Sequence, residues 1–217
     1  MPIRRIVCMS DLHGQWADVR VPDGDLLIIA GDNTVYGKGF EYEYFNAWLG
    51  GLRHPNKVVI AGNHDKWLYL HNPHECQNML SNCTYLYDRE IEVDGIRIYG
   101  SPWTPTFFDW YFMKDRGPDI RKKWDKIPAG IDILVTHGPP IGYGDMSTFQ
   151  NARMGCEELR EAVDRIRPKL HVFGHNHGGY SEARNEHTLF VNASTCNEGY
   201  KPVNKPIVIE WPIDLWA

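Results

Sequence analysis

Seven short apolar runs, rich in β-branched residues, recur along the 217-residue chain and constrain its fold more than any other feature. They cover residues 3–9, 26–30, 57–61, 131–136, 170–173, 189–191 and 206–211. Apolar runs of this length predict strands that are buried on both faces of a sheet. Apolar spacing over residues 40–52 and 155–167 predicts helices between the strands, and Pro168 ends the second one. The alternation of strands and helices predicts an α/β fold.

One local pattern predicts an antiparallel hairpin within this fold. Asp94-Gly95 stands between the alternating segments 91–93 and 96–98, which is the arrangement of a two-residue hairpin turn. No repeat, low-complexity segment or Pro/Ser-rich linker divides the chain. We therefore expect residues 1–217 to form a single domain.

Charge and composition exclude several classes of protein. The chain has 23 Lys and Arg against 28 Asp and Glu, a net charge of −5, which argues against binding to duplex nucleic acid through its phosphates. Its apolar runs are too short to span a bilayer or to form a signal-peptide core. The five cysteines are scattered, as is typical of reduced thiols. We expect a cytoplasmic protein with no membrane partner, and no feature sets its oligomeric state.

Five of the predicted strands end in polar residues, usually beside a glycine. These residues are Asp11 and His13, then Asp32, then Asn63 with His64 and Asp65, then His137, and finally His175 and His177. Ligands of open α/β sheets bind outside the carboxyl ends of the strands. The sequence therefore predicts that these side chains converge on one crevice.

Seven of these residues offer nitrogen or oxygen donors to a metal and none offers a thiolate: Asp11, His13, Asp32, Asn63, His137, His175 and His177. The i, i+2 pairs Asp11/His13 and His175/His177 would each grip one metal from one side if their turns stay extended. The number of donors suits two divalent ions, about 4 Å apart if Asp32 bridges them. Mn, Fe, Zn, Co and Ni all accept such donors, and manganese is our first expectation. Two such ions would attract a phosphate ester to an acidic protein.

The ordered motifs Asp-x-His, Gly-Asp, Gly-Asn-His-Asp, Thr-His-Gly and Gly-His-x-His resemble those of the calcineurin-like metallophosphoesterase superfamily. The resemblance implies a four-layer α-β-β-α sandwich, in which two mixed sheets lie between helices and the metal site lies at the carboxyl ends of strands. It also implies that one metal takes Asp11, His13, Asp32 and His177, and the other Asp32, Asn63, His137 and His175. By the same resemblance His64 contacts the phosphate and protonates the leaving group, and Asp65 orients His64.

A narrower resemblance points to a branch of that superfamily. Gly100-Ser101-Pro102-Trp103-Thr104-Pro105, Asp109-Trp110 and residues 136–140 are similar to the MPPED-like metallophosphodiesterases, which act on cyclic nucleotides and model diesters. Asn33-Thr34 replaces the Asp-Arg-Gly stretch of protein phosphatases, so their phosphate-binding arginine is missing, although Lys38 could reach the same region.

These resemblances predict a phosphodiesterase that attacks small diesters or nucleotides with a hydroxide bridging two divalent metal ions, with His64 as the general acid. The alternative on the same site is a phosphomonoesterase or Ser/Thr protein phosphatase. A non-enzymatic alternative is a binding scaffold that the metal only stabilises.

Seven aromatic residues between positions 103 and 124 form a further signal with two interpretations. They either pack inward as part of the core, or some of them flank the crevice and stack on a nucleobase. Trp103 and Phe108 are the first candidates for stacking, and Trp16 is a further candidate for the crevice wall.

Overall fold

A computed structural model of the chain describes residues 2–147 and 150–214. The described helices are α1 (Gly39–Gly51), α2 (Lys66–Leu70), α3 (Pro73–Met79), α4 (Pro118–Trp124) and α5 (Glu157–Ile166), with single 3₁₀ turns at Trp16–Asp18 and His177–Gly179. The described strands are β1 (Arg5–Met9), β2 (Leu26–Ala30), β3 (Asn56–Ile60), β4 (Thr84–Tyr85), β5 (Arg89–Val93), β6 (Ile96–Ser101), β7 (Thr104–Pro105), β8 (Met113–Lys114), β9 (Ile133–Thr136), β10 (Met146–Ser147), β11 (Ala152–Arg153), β12 (Leu170–Phe173), β13 (Ser181–Arg184), β14 (Leu189–Asn192) and β15 (Ile207–Glu210).

Most of these strands form two mixed sheets. The first has the order β15-β1-β2-β3-β4, in which only β15 runs antiparallel to its neighbour. The second has the order β13-β14-β12-β9-β6-β5, with a parallel centre and an antiparallel strand at each edge. The parallel strands of each sheet therefore bring their carboxyl ends to one edge.

The two sheets pack face to face between helices. Ile28 of the first sheet and Val172 of the second belong to one buried cluster between the sheets. Leu27 points to the opposite face, in a cluster that includes Phe45 of α1, because successive strand residues alternate between faces. Leu159 of α5 likewise packs in that outer layer. The expected four-layer sandwich of two mixed sheets flanked by helices is confirmed.

Secondary structure was predicted more reliably for the long patterned segments of the sequence than for the short elements. All seven apolar runs contain a strand, and α1 and α5 lie within two residues of the predicted helices. The hairpin is also present, with Asp94 and Gly95 both at positive φ (49° and 79°), as its tight turn requires. The two-residue strands and helices α2 to α4 were not predicted, because they are too short to carry a periodic signal.

Two further findings concern the cysteines and the helices. All five cysteines are free thiols, and four of them are buried. Within residues 2–147 and 150–214, no helix combines the length and apolar character needed to cross a bilayer.

Candidate metal centre

The structure brings all seven predicted ligand residues together where the two sheets meet. Ligand atoms form three overlapping groups, each within 4.8 Å: Asp11 with His13 and His177, His13 with Asp32 and His64, and Asp32 with His137 and His175. Asn63 joins through its Oδ1, which lies 3.0 Å from His137 Nε2. A bridge between Ser10, after β1, and Ser194, after β14, fastens the two sheets together beside this cluster.

The first group directs ring nitrogens and carboxylate oxygens at one point. Nε2 of His13 and Nε2 of His177 are 3.1 Å apart, and His177 Nε2 is 3.4 Å from Asp11 Oδ1. Two imidazole nitrogens this close need a proton or a cation between them. The arrangement can therefore hold a divalent cation.

Asp32 lies between this group and the next. Its Oδ2 is 3.7 Å from His13 Nε2 and 3.4 Å from His137 Nε2. Its other oxygen, Oδ1, accepts a hydrogen bond from the backbone N–H of His64 at 2.8 Å. Asp32 is thus placed to share its charge between the two sides of the cluster.

Backbone carbonyls fix the orientation of two of the imidazoles. His137 Nδ1 lies 2.8 Å from the Ala30 carbonyl and His177 Nδ1 lies 3.0 Å from the Asn197 carbonyl. Donation from Nδ1 to a carbonyl leaves the Nε2 lone pair facing the cluster, which is how metal-ligating histidines are held. Nδ1 of His13 is buried and has no hydrogen-bond partner among the described residues.

The ligand turns are not extended, and this corrects one prediction. Asp11, His13, Asp32 and His175 all have positive φ, between 41° and 66°, which is costly for residues other than glycine. The tight turns separate His175 from His177, so the two rings join different groups rather than gripping one centre. The i, i+2 argument was therefore wrong for this pair, because it assumed an extended backbone.

Two glycines let backbone and carboxylate approach each other closely. A Cβ atom on Gly62 would lie 2.3 Å from Asp32 Oδ1, and one on Gly174 would lie 2.0 Å from Asp11 Oδ2. Neither distance is possible for a real side chain. These positions need glycine because of space and not because of positive φ.

Burial and charge set the protonation of the imidazoles. Burial lowers the pKa of His13 to about 4 and of His175 to about 3, so both rings are neutral at pH 7, as metal ligands must be. Burial acts the same way on His137, but attraction to the Asp32 carboxylate outweighs it and raises the pKa to about 9. A cation that binds there must displace this proton. The imidazole nitrogens and the two buried carboxylates of this donor set fit divalent metal ions.

His64 lies beside the cluster and is oriented differently from the prediction. Its Nδ1 is 3.2 Å from the carbonyl of Val35, and its ring packs against Trp110 with centroids 4.3 Å apart. Asp65 does not orient this ring. Its buried carboxylate accepts hydrogen bonds from Gly62 N (2.8 Å) and Tyr42 OH (2.7 Å) instead.

Asp65 also binds the two residues that follow Asp32. Its carboxylate accepts from Asn33 Nδ2 at 2.9 Å and from Thr34 Oγ1 at 3.1 Å. Asn33 and Thr34 are therefore tied to the loop after β3, and the Asp65 carboxylate stabilises this pair of loops rather than the His64 ring. Lys38 is exposed, with its Nζ 5.4 Å from the centroid of the Tyr36 ring.

The cluster opens into a cavity of about 460 Å³, which we call the central cleft. Besides Asp32, Asn63, His64, His175 and His177, its lining comprises Phe107, Phe108, Trp110, Ser147, Asn176, Glu198 and Tyr200. Among these described residues there is no Lys or Arg. The cleft thus combines a metal-binding floor with aromatic walls.

The structure separates the predicted aromatic candidates. Phe108 is 82% exposed and lines the cleft, which agrees with the interpretation that some of these aromatic residues flank the crevice. Trp103 is only 4% exposed, and its Nε1–H donates to Asp88, so it belongs to the core and not to the cleft. Trp16 packs against Phe45 under α1 and is absent from the described lining.

Sequence reasoning did not predict four residues of the cleft lining, Ser147, Asn176, Glu198 and Tyr200, and Tyr200 is the aromatic one among them. The ring of Tyr200 lies edge-on to His13, with centroids 4.7 Å apart, and reaches the cleft from the loop before β15. Burial, with the charges of Asp32 and Asp11, raises its pKa, so the hydroxyl is protonated at neutral pH. No motif surrounds Tyr200, and its positive φ of 57° is visible only in the structure.

Comparisons with known proteins agree with this geometry. The calcineurin-like phosphoesterase family profile matches residues 4–179. Human metallophosphoesterase domain-containing protein 1 is 44% identical over 96% of this chain and 71% of its own length. A probable cyclic nucleotide phosphodiesterase of Synechococcus is 25% identical over 82% of this chain and 68% of its own. The solved structure of TT1561 from Thermus thermophilus has a TM-score of 0.62 at 14% identity, covering 88% of each chain, and supports the fold alone.

Proposed function

Because the chain belongs to the calcineurin-like phosphoesterase family, we propose that it is a phosphodiesterase that hydrolyses small diesters, cyclic nucleotides among them, with two divalent metal ions. The observation that carries the proposal is the position of Asp32, which lies between two groups of donors and binds the backbone of His64. We place the protein in the cytoplasm, in keeping with its free thiols.

Each metal ion has its own set of ligands in this proposal. Asp11, His13, Asp32 and His177 would hold one ion, and Asp32, Asn63, His137 and His175 would hold the other, with manganese the first metal to test. The distances of 3.1–3.7 Å between ligand atoms across the first set support this division. When bound, such ions lower the pKa of an attacking water and neutralise charge on the phosphate oxygens.

His64 is the proposed general acid. Its backbone N–H is fixed to Asp32, and its Nδ1 donates to the Val35 carbonyl, so Nε2 is the atom left to carry a proton toward the cleft. With its backbone fixed to Asp32 and its Nδ1 bound to Val35, the ring delivers its proton at a defined position. The Nε2 proton would pass to the ester oxygen as that oxygen leaves phosphorus.

The charge of the cleft favours a diester over the monoester or phosphoprotein alternatives. A monoester at neutral pH carries up to two negative charges, whereas a diester carries one. The described lining of the central cleft adds no Lys or Arg to the metals, and it includes Glu198. The aromatic rings of Phe107, Phe108 and Trp110 would contact the organic substituents of a diester. The activity for which the Synechococcus relative is named is consistent with this preference.

The first experiment is a panel of metals and substrates on chelator-treated protein. Mn, Fe, Zn, Co and Ni would each be added back and assayed with bis(p-nitrophenyl) phosphate, p-nitrophenyl phosphate, and 2′,3′- and 3′,5′-cyclic nucleotides. We expect the diesters to be turned over faster than the monoester. Faster monoester hydrolysis would favour the phosphomonoesterase, and bound metal without hydrolysis of any ester would favour the binding scaffold.

The second experiment tests His64 directly. His64→Ala should keep its metals but lose cyclic nucleotide hydrolysis by the general-acid factor of roughly 10²–10⁴, because a ribose hydroxyl leaves poorly without a proton. Hydrolysis of the nitrophenyl diester should fall less, because nitrophenolate leaves with little help. His74→Ala, an exposed histidine on α3, is the matched control. Equal losses on both substrates, or loss of a metal ion, would contradict the assignment of His64 as the general acid.

A further inference from the structure

The central cleft shares lining residues with two further pockets, one beside His64 and the other beside His175. The first, which we call the His64 pocket, has a volume of about 420 Å³ and is walled by Val35, Tyr36, Lys66, Trp110, Tyr111 and Tyr200. The second, the His175 pocket, has a volume of about 380 Å³, and its walls include Phe107, Phe108, Arg116 and Met154. A phosphodiester has two substituents on phosphorus, so each pocket can take one.

The residues shared with the central cleft distinguish the two pockets. His64, Trp110 and Tyr200 line both the central cleft and the His64 pocket. His175 and Phe107 line both the central cleft and the His175 pocket. Of the two side pockets, the proposed general acid His64 lines only the His64 pocket.

In-line displacement at phosphorus decides which substituent enters which pocket. The attacking oxygen and the leaving oxygen lie on opposite sides of phosphorus, and the general acid must lie within hydrogen-bond reach of the leaving oxygen. The group attached to that oxygen therefore extends past His64. The substituent that stays on phosphorus lies roughly perpendicular to the line from the attacking to the leaving oxygen, and the His175 pocket, which His64 does not line, can take it.

We propose that the His64 pocket is the leaving-group subsite, and that it takes an alcohol or phenol that carries a flat aromatic ring, such as a nucleobase. The assignment rests on the proposed phosphodiesterase function. In the step, a bond forms between the oxygen of water and phosphorus, and the bond from phosphorus to the leaving oxygen breaks. The electron pair stays on the leaving oxygen, which takes the His64 proton, and the proton released by the water restores His64 through solvent. The products are a phosphomonoester and the alcohol.

The walls of the His64 pocket are aromatic and held in place. The backbone N–H groups of Val35 and Tyr36 donate to the buried carboxylate of Glu41 at 3.0 and 3.2 Å, which fixes the wall that carries the Tyr36 ring. On the other wall, the backbone N–H of Tyr111 donates to the Asn63 carbonyl at 3.3 Å. Tyr36 is nonetheless 69% exposed, so its ring is available to stack on a ligand.

Charge in the pocket is also suited to a leaving group. Among the described lining residues, Lys66 is the only Lys or Arg, and there is no Asp or Glu. Its Nζ lies 5.7 Å from the centroid of the Tyr111 ring. A positive charge at this position favours an electron-rich ring and the negative charge that develops on a departing oxygen.

The test uses two diesters with the same leaving group and different retained groups, namely methyl p-nitrophenyl phosphate and thymidine 5′-(p-nitrophenyl phosphate). Tyr36→Ala should raise the KM of both by the same factor, about 5-fold or more for loss of one stacking ring. Phe108→Ala should raise the KM of the thymidine ester more than that of the methyl ester. Tyr44→Ala, an exposed tyrosine (66%) on α1 outside the described pockets, is the control that should change neither.

Two outcomes would overturn the assignment while the parent protein remains active. A selective loss on the thymidine ester in Tyr36→Ala, with an equal loss on both esters in Phe108→Ala, would reverse the two pockets. An unchanged KM for both esters in Tyr36→Ala would show that this pocket does not hold the leaving group. A parent protein that hydrolyses neither diester would instead refute the proposed function itself, so the two failures are distinguishable.

Discussion

Replacing Gly174 with alanine tests whether the position of Asp11, and not only its charge, makes the metal centre. The new Cβ would lie 2.0 Å from Asp11 Oδ2 and 2.1 Å from Ser10 Oγ, whereas real Cβ contacts essentially never fall below 3.0 Å. To restore a contact of 3.0 Å, the Asp11 carboxylate or the turn that follows β12 must therefore move by at least 1.0 Å. All seven proposed ligands remain present in this variant.

Such a displacement should weaken metal binding and turnover together. We expect metal affinity to fall about 10- to 100-fold, as when the groups that orient a ligand are removed. We expect turnover to fall about 10²-fold, which is the effect of a 1 Å misplacement in an active site. Forcing a methyl group into a packed site should also lower the free energy of unfolding by about 1–3 kcal/mol.

Gly51→Ala is the matched control. Gly51 is the last residue of α1, a Cβ there would meet nothing within 4 Å, and neither glycine has positive φ. Alanine at this helical position should stabilise the protein by up to about 1 kcal/mol and leave turnover unchanged. The measurements are metal content after dialysis, kcat on bis(p-nitrophenyl) phosphate and chemical unfolding. A Gly174→Ala protein that keeps the metal content and kcat of the parent would refute the reasoning.

Three further predictions concern single residues. Asp32→Asn should reduce metal content and activity together, because one carboxylate faces both donor groups; two metals per chain with near-normal turnover would contradict the dinuclear assignment. His171 is buried, and burial lowers its pKa from 6.5 to about 3. The unfolded chain therefore binds a proton at this residue between pH 6.5 and 3, whereas the folded protein does not. As the pH drops through that range, His171 should lower the free energy of unfolding of the parent by about 1.4 kcal/mol per pH unit. His171→Gln, which keeps a donor for Thr136, should lose this part of the slope in unfolding titrations at several pH values, and an unchanged slope would contradict the assignment. Trp103→Ala should lower the free energy of unfolding by about 3–5 kcal/mol, because the ring is buried and its N–H donates to Asp88. A raised KM without a loss of stability would instead indicate that Trp103 contacts the substrate.

Much of this protein could be inferred from local patterns in the chain. Runs such as 26–30 and 170–173 coincide with strands of the two sheets, because an uninterrupted apolar run is stable only where both faces are buried. The polar residues that follow those runs then lie at one edge, because parallel strands end together. The ligand types and their order along the chain therefore predicted the cluster, including its lack of a thiolate.

Other features depended on how the loops pack in three dimensions. Asp65 follows His64 directly, yet its side chain turns into the core and binds Gly62 and Tyr42, while the carbonyl of Val35 holds the imidazole. Neighbours in sequence share no orientation once the chain turns between them, so adjacency could not assign this role.

The aromatic segment and the second loop of the cleft depended on tertiary packing in the same way. Composition predicted an aromatic excess after residue 103, but only the packed structure buries Trp103 and exposes Phe108 and Trp110 to the cleft. Tyr200 reaches the cleft from a loop far along the chain that carries no motif. Strand positions follow from short-range patterns of hydrophobicity, whereas the side of a loop that faces a cavity is decided by long-range contacts that those patterns do not contain.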